Sequence, residues 1–180
     1  GVSIGAAYDF GSGFTIAGGA QFVETGIADK EEDDAYAVNV AYTADSYGLS
    51  LTYANVEDGA QNDTYTALNG YYSFDNGLNI SAGYEFGSLD VTSAAADETE
   101  AFFIGINGEV GPGELGAALG TFGTMTESSS VMPEQLMYEA YYSYPVNDGM
   151  TITPLIYTVE GEDAADEDET GIMVKTSFSF

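Results

Sequence analysis

Strict alternation of apolar and polar residues along a hairpin at residues 64–86 constrains the fold of this chain more than any other feature. The apolar parity of the first arm runs from Leu68 to Phe74, and that of the second arm from Leu78 to Phe86. Since successive side chains of a strand point to opposite faces, each arm has one apolar face and one largely polar face. Between the arms, Asn-Gly at positions 76–77 predicts a two-residue hairpin turn, because glycine readily adopts the positive φ that such a turn needs.

The same alternation recurs along the whole chain and predicts eleven strands. They cover residues 2–10, 14–23, 35–43, 47–56, 64–74, 78–86, 100–110, 114–122, 135–144, 150–159 and 171–180. Five short turns alternate with five longer loops, which lie at residues 24–34, 57–63, 87–99, 123–133 and 160–169. This arrangement predicts an antiparallel up-and-down meander with the tight turns at one end of the strands and the loops at the other.

Charge and composition exclude several classes of function. The chain has 30 acidic residues and two basic ones, Lys30 and Lys175, so its net charge is −28 and binding of nucleic acid, whose phosphates need Lys and Arg, is not expected. It has no cysteine and no histidine, which argues against disulfides, thiolate chemistry and zinc or copper sites. No apolar run is long enough for a transmembrane helix. No catalytic constellation is recognisable, and the chain is therefore predicted not to be an enzyme.

Aromatic residues of the apolar parity cluster at one height, beside the short turns. This aromatic girdle comprises Tyr8, Phe10, Phe14, Tyr42, Tyr47, Tyr72, Phe74, Tyr142, Tyr144, Phe178 and Phe180. A second, looser aromatic set lies nearer the loops. The strand from Phe14 to Phe22 would cross roughly 20 Å of membrane at a tilt of about 40°, comparable with the lipid-facing band of an outer-membrane barrel.

The opposite parity consists mainly of Asn, Ser, Thr, Gln, Gly and occasional Glu. A soluble β-sandwich also alternates, but it packs its apolar faces inward and its core is usually rich in Val, Ile and Leu. An apolar face edged by aromatic residues instead favours a barrel with lipid outside and water inside. Such a sheet must close, because lipid cannot form hydrogen bonds with the backbone groups that an open edge would leave unpaired. We therefore predict one all-β domain over residues 1–180, an antiparallel up-and-down transmembrane β-barrel. A soluble, secreted acidic β-protein is the alternative.

About 45 residues at the end of the chain carry a resemblance to a known family. The stretch 171–180, GIMVKTSFSF, ends in an aromatic residue preceded by hydrophobic residues at alternate positions, and it is similar to the C-terminal signature of Gram-negative outer-membrane porins. The stretch 148–159, DGMTITPLIYTV, most resembles cyanobacterial porins of the carbohydrate-porin-related group, while the preceding hairpins are equally similar to general trimeric porins. The resemblance implies a bacterial outer-membrane protein, a homotrimer in contact with lipid and lipopolysaccharide. Its implied function is passive diffusion of ions and small hydrophilic solutes through a water-filled pore.

The strand count adds an expectation about what precedes residue 1. Bacterial outer-membrane barrels have an even number of strands, with both termini at the short-turn end. The C-terminus of this chain lies at that end, and counting back through eleven strands places residue 1 at the loop end. An odd number of strands is therefore expected before residue 1, and resemblance to 16-stranded porins implies five. The domain is thus predicted to be N-terminally incomplete.

Residues of the polar parity are candidates for lining the lumen. They are Asn39, Asn69, Asn79, Glu85, Asn107, Glu109, Glu139, Tyr141 and Lys175. The inward carboxylates predict a cation-favouring pore, because negative charge attracts cations, although the same residues would also suit a simply polar wall. Lys175 is expected to pair with Glu139 or another lumen acid. The inward aromatic residues Phe103 and Tyr141 are candidates for stacking sugars or for packing against the wall.

The acidic loops allow two further interpretations. Residues 160–169 hold seven carboxylates, which could bind Ca²⁺ or Mg²⁺ weakly or bridge to lipopolysaccharide through divalent cations. Their spacing is not that of an EF-hand, so a solvated surface is the simpler interpretation, and neither a metal site nor a cofactor is predicted. A non-conducting outer-membrane barrel, acting through its loops as an adhesin or structural anchor, is the alternative to a channel.

Overall fold

The computed structural model describes residues 1–22, 34–58, 61–90, 98–121, 124–126, 135–161 and 166–179. These ranges contain twelve β-strands. They are β1 (Val2–Asp9), β2 (Phe14–Phe22), β3 (Ala35–Thr43), β4 (Tyr47–Asp58), β5 (Gln61–Ser73), β6 (Asn79–Ser88), β7 (Glu98–Val110), β8 (Gly113–Thr121), β9 (Thr124–Thr126), β10 (Leu136–Asn147), β11 (Met150–Val159) and β12 (Glu169–Phe178). Over these ranges, no helix has the length and hydropathy needed to span a membrane.

The strands follow one another in the sheet in chain order. The hydrogen-bonded order is β1-β2-β3-β4-β5-β6-β7-β8-β10-β11-β12, and β9 pairs with β7. This order confirms the predicted up-and-down meander and its eleven main strands. The short β9 is an addition within the predicted loop 123–133, and its three residues are too few to show a periodic pattern.

The chain folds into two compact units, and each unit contains residues from several separate parts of the sequence. The first consists of Gly1–Gly70, Gly83–Glu100 and Met125–Met132, and the second of Tyr71–Ala82, Ala101–Thr124 and Pro133–Phe180. Strands β1 to β4 therefore belong wholly to the first unit, and β8 and β10 to β12 wholly to the second.

Register keeps the apolar parity on one face in each unit. In the first unit Ile16 lies opposite Val40, which in turn lies opposite Leu51. In the second, Ile156 lies opposite Ile172, whose side chain is 79% exposed. Paired residues of adjacent strands point to the same side, so each unit has a continuous apolar face. No hydrophobic side chain is buried in the described ranges, which is the reverse of what a soluble β-sandwich requires.

The central hairpin turn contains three residues, Asp75, Asn76 and Gly77. Gly77 has a φ of +82°, whereas no described residue other than glycine has a positive φ. The Phe74 N–H donates to the Leu78 carbonyl over 2.8 Å, and the Leu78 N–H donates to Asn76 Oδ1 over 3.1 Å. The predicted tight turn at residues 75–77 is therefore present, but it has three residues rather than two, with the Asn76 side chain as an acceptor within the turn and only the glycine left-handed.

Strands β4 and β5 extend further than their alternation predicts. Much of the expected loop at 57–63 belongs to strands, because β4 continues to Asp58 and β5 begins at Gln61. The Asn55 side-chain amide donates to Asn62 Oδ1 near this end of the strands. Hydrophobic alternation stops where both faces are polar, although strand pairing continues. The predicted regular alternation of short and long connections is therefore wrong at this position.

Candidate functional site

The polar face of the sheet carries all nine residues predicted to line a pore. Each lies in a main strand, on the parity opposite to most of the exposed apolar side chains. Asn39 is the best-defined of them, since its amide donates to Oγ1 of Thr52, its cross-strand partner, over 2.8 Å. Glu85, Glu109 and Glu139 are exposed, as a role in contact with solvent requires.

A row of charged and hydroxyl groups crosses the polar face of the second unit. Glu109 lies opposite Glu114, and Glu114 lies opposite Ser143. The Thr153 hydroxyl donates to the Ser143 hydroxyl over 3.1 Å, and Thr153 lies opposite Lys175. Like charges on directly opposed residues destabilise a sheet, so the pair of Glu109 and Glu114 has no structural advantage and is a candidate for function.

The lysine in this row does not pair with Glu139. Register places Thr153 opposite Lys175, whereas Glu139 lies opposite Ala118 on one side and Tyr157 on the other. Register therefore does not place Lys175 beside Glu139, and its pairing with another lumen acid stays a prediction.

Two tyrosines of the second unit lie flat against the polar face, over glycines of adjacent strands. The ring of Tyr141 occupies the space that a Cβ on Gly116 would need, and the ring of Tyr157 does the same for Gly171. The Tyr141 hydroxyl also donates to Oε1 of Glu114 over 3.0 Å. Tyr141 is thus held on the wall and orients one of the two opposed carboxylates.

Sequence reasoning missed two aromatic residues of this face. Tyr157 was not singled out, and neither was Tyr65, whose ring lies against Gly87 in the first unit. The informative signal is a tyrosine directly opposite a glycine, as with Tyr157 and Gly171. That signal can be used only once the register of the strands is known.

The girdle residues lie on the apolar face, and many of their rings touch. Ring centroids are 4.9 Å apart in Tyr8–Phe10, 4.7 Å in Phe14–Tyr42, 5.9 Å in Tyr42–Tyr47, 4.7 Å in Tyr72–Phe74 and 6.5 Å in Tyr142–Tyr144. Phe178 is 62% exposed, and Phe180 lies outside the described residues. Rings with an apolar body and, in tyrosine, a polar tip are suited to the boundary between lipid and water.

No group of three or more metal-ligating side chains is present where the structure describes the chain. Most of the acidic loop at 24–34, and residues 162–165 of the last loop, lie outside those ranges. The structure therefore does not test weak binding of Ca²⁺ or Mg²⁺ at these loops.

The strand order and the two contrasting faces define a class of protein. Up-and-down strands with an exposed apolar face, clustered aromatic rings and a polar opposite face are the features of porin-type β-barrels.

Comparison with solved structures identifies the same fold. An anion-selective porin from Comamonas acidovorans superposes with a TM-score of 0.80 over 99% of this chain and 59% of that chain, at 16% identity. A porin refined at 1.8 Å resolution gives a TM-score of 0.73 over 98% of this chain and 60% of that chain, at 18% identity. OmpF of Salmonella typhi in complex with daunomycin gives a TM-score of 0.63 over 92% of this chain and 56% of that chain, at 13% identity.

The chain therefore has the porin fold and spans about three-fifths of the length of these solved porins. No family model matches the sequence, and no curated protein matches it. The predicted all-β, porin-like fold is confirmed.

Proposed function

We propose that this chain forms part of the wall of a porin in the bacterial outer membrane, a water-filled pore through which ions and small hydrophilic solutes diffuse passively. The observation that carries the proposal is the exposed apolar face, with no buried hydrophobic side chain in the described ranges. Exposing apolar surface to water costs about 25 cal/mol per Å², so a face of this extent needs lipid as its neighbour. The polar face then borders water, and the porin fold supports this arrangement.

We propose further that the pore favours cations. The chain carries a net charge of −28, and the carboxylates of Glu85, Glu109, Glu114 and Glu139 share the polar face with one lysine, Lys175. A wall lined with carboxylates raises the local concentration of cations and lowers that of anions. Selectivity depends on side-chain charge, so the fold shared with an anion-selective porin does not argue against it.

The proposed channel is passive and involves neither enzymatic chemistry nor a cofactor. Its proposed partners are membrane lipid, lipopolysaccharide and further copies of the same chain in a homotrimer, as in the trimeric porins that the sequence resembles. Nothing in the proposal depends on divalent cations at the acidic loops.

Planar-bilayer recording with the full-length protein tests the proposed pore. Discrete conductance steps in KCl are the expected result. A protein that inserts, shows heat-modifiable gel mobility and yet conducts nothing would establish the alternative of an adhesin or anchor. A protein that stays monodisperse in water without detergent would contradict both, because its apolar face could not then be in contact with lipid.

Charge removal tests the cation preference. The double variant Glu109→Gln with Glu114→Gln should lower the cation-to-anion permeability ratio roughly twofold at low salt, and by less at high salt, where charges are screened. The measurement is the reversal potential in a KCl gradient. The control variant Asp75→Asn with Asp148→Asn removes the same charge from two exposed turns. Equal shifts in both double variants, or an anion preference in the parent protein, would contradict the proposal.

A further inference from the structure

A recess of about 540 Å³ lies on the second unit. Large side chains and one carboxylate of the polar parity border it: Phe103, Met137, Glu139, Leu155, Tyr157 and Met173. Small residues, Ala118 and Gly120, lie between them. We call this feature the Tyr157 recess.

Large apolar side chains line the Tyr157 recess on the face of the sheet that is otherwise mostly polar. The large side chains named above belong to the parity that is polar or small in most of the chain, and register pairs some of them across strands. Leu155 lies opposite Met173, and Phe103 lies across Gly120 from Met137. The side chains of Met173 and Phe103 are 53% and 41% exposed. An exposed apolar hollow with a few polar groups is the usual form of a small-molecule site.

Glu139 gives the Tyr157 recess its charge. It lies directly opposite Tyr157, its side chain is exposed, and no described lysine shares its row. The ring of Tyr157 lies over Gly171, its neighbour on β12, and Glu139 flanks Tyr157 on the other side, in β10. A flat ring beside an uncompensated negative charge is complementary to a cation attached to an aromatic body.

We propose that the Tyr157 recess binds organic cations that combine a protonated amine with an aromatic ring. The amine lies against the carboxylate of Glu139, and the ring lies on Tyr157 between Phe103 and Met173. Bound cations of this class transiently obstruct the passage of small ions. This proposal deepens the proposed pore function and rests on it for the obstruction, but not for the binding.

Current recordings with tryptamine test the proposal on the full-length protein in planar bilayers. Tryptamine should interrupt the KCl current reversibly, and at about tenfold lower concentration than tryptophol, which has the same indole ring with a hydroxyl in place of the amine. Ethylamine, which has the charge without the ring, should be similarly weak. Equal potency of tryptamine and tryptophol would overturn the proposal, and so would interruption by maltotriose but not by tryptamine, which would indicate a saccharide site.

Two variants locate the effect. Glu139→Gln removes the charge, and Met173→Gln replaces an exposed apolar side chain by a polar one of similar length; each should weaken block by tryptamine about tenfold. Asp148→Asn, a charge-matched change in an exposed turn, should leave the block unchanged. Parental block in both recess variants would overturn the assignment.

Failure of the pore and failure of the recess give different results. If the full-length protein carries no KCl current, the proposed function fails, and tryptamine binding is then measured by calorimetry in detergent. Binding that Glu139→Gln weakens would support the recess without a pore. A normal KCl current with no effect of tryptamine, and no calorimetric signal, would overturn the recess and leave the pore intact.

Discussion

Replacing Val38 by arginine should lower the free energy of unfolding in a lipid bilayer by about 2–4 kcal/mol. Val38 lies in β3 between Tyr36 and Tyr42, with its side chain 45% exposed on the apolar face. Its cross-strand neighbours, Gly18 and Tyr53, offer no carboxylate to pair with a guanidinium. The charge would therefore lie in hydrocarbon. Urea titration of the refolded protein in vesicles, followed by gel mobility without heating, measures the loss.

Ala37→Arg is the matched control, because it places the same side chain one residue away on the opposite face. Ala37 lies between Gly19 and Ala54, whose small side chains leave room for an arginine. We expect a cost below about 1 kcal/mol and a change in conductance, since lumen substitutions act mainly on permeation. Equal costs for the two arginines would mean that the faces have been assigned wrongly.

Replacing Gly13 by alanine should lower the free energy of unfolding by about 3 kcal/mol, from a left-handed backbone and a lost hydrogen bond together. Gly13 has a φ of +86°, and its carbonyl accepts a hydrogen bond from the Thr43 N–H over 2.8 Å. An added Cβ would collide with the Thr43 carbonyl oxygen and lie 3.1 Å from the ring of Tyr42. The backbone can move away only by opening this end of the β2–β3 pair. The same urea titration measures the loss.

The variant Gly11→Ala separates the cost of the left-handed backbone from the cost of the collision with Thr43. Gly11 also has a positive φ, +69°, but a Cβ there would meet nothing within 4 Å. Its replacement should therefore cost only the conformational penalty, about 1–2 kcal/mol. If Gly13→Ala proves no more costly than Gly11→Ala, the close approach of Gly13 to Thr43 does not contribute to stability.

Much of the fold could be predicted because the two faces of each strand differ in polarity, which leaves a regular alternation in the sequence. Strands β3 (Ala35–Thr43) and β11 (Met150–Val159) begin and end at the predicted residues, since their alternation persists throughout. The continuation of β4 beyond Val56 could not be predicted in this way. There polar residues occupy both faces, and pairing depends on backbone hydrogen bonds that leave no periodic trace in the sequence.

The face of the sheet on which a residue lies was easier to predict than the residues opposite it on adjacent strands. Alternation assigned Glu139 and Lys175 to the same side, but their relative height depends on the register across β10, β11 and β12. Register also decides that Tyr157 covers Gly171. Because register is set by pairing between strands, a pattern within one strand cannot reveal it.

Because no apolar side chain is buried in the described ranges, the proposed function makes the surrounding lipid the main source of cohesion for the sheet. The apolar face between the levels of Tyr42 and Tyr36 has a fixed height. A bilayer whose hydrocarbon layer is thinner or thicker than this height would therefore be mismatched to the protein. If the chain lies in a membrane as proposed, the length of the lipid acyl chains should therefore affect its stability, because the bilayer would cover the apolar face that no other part of the described chain covers.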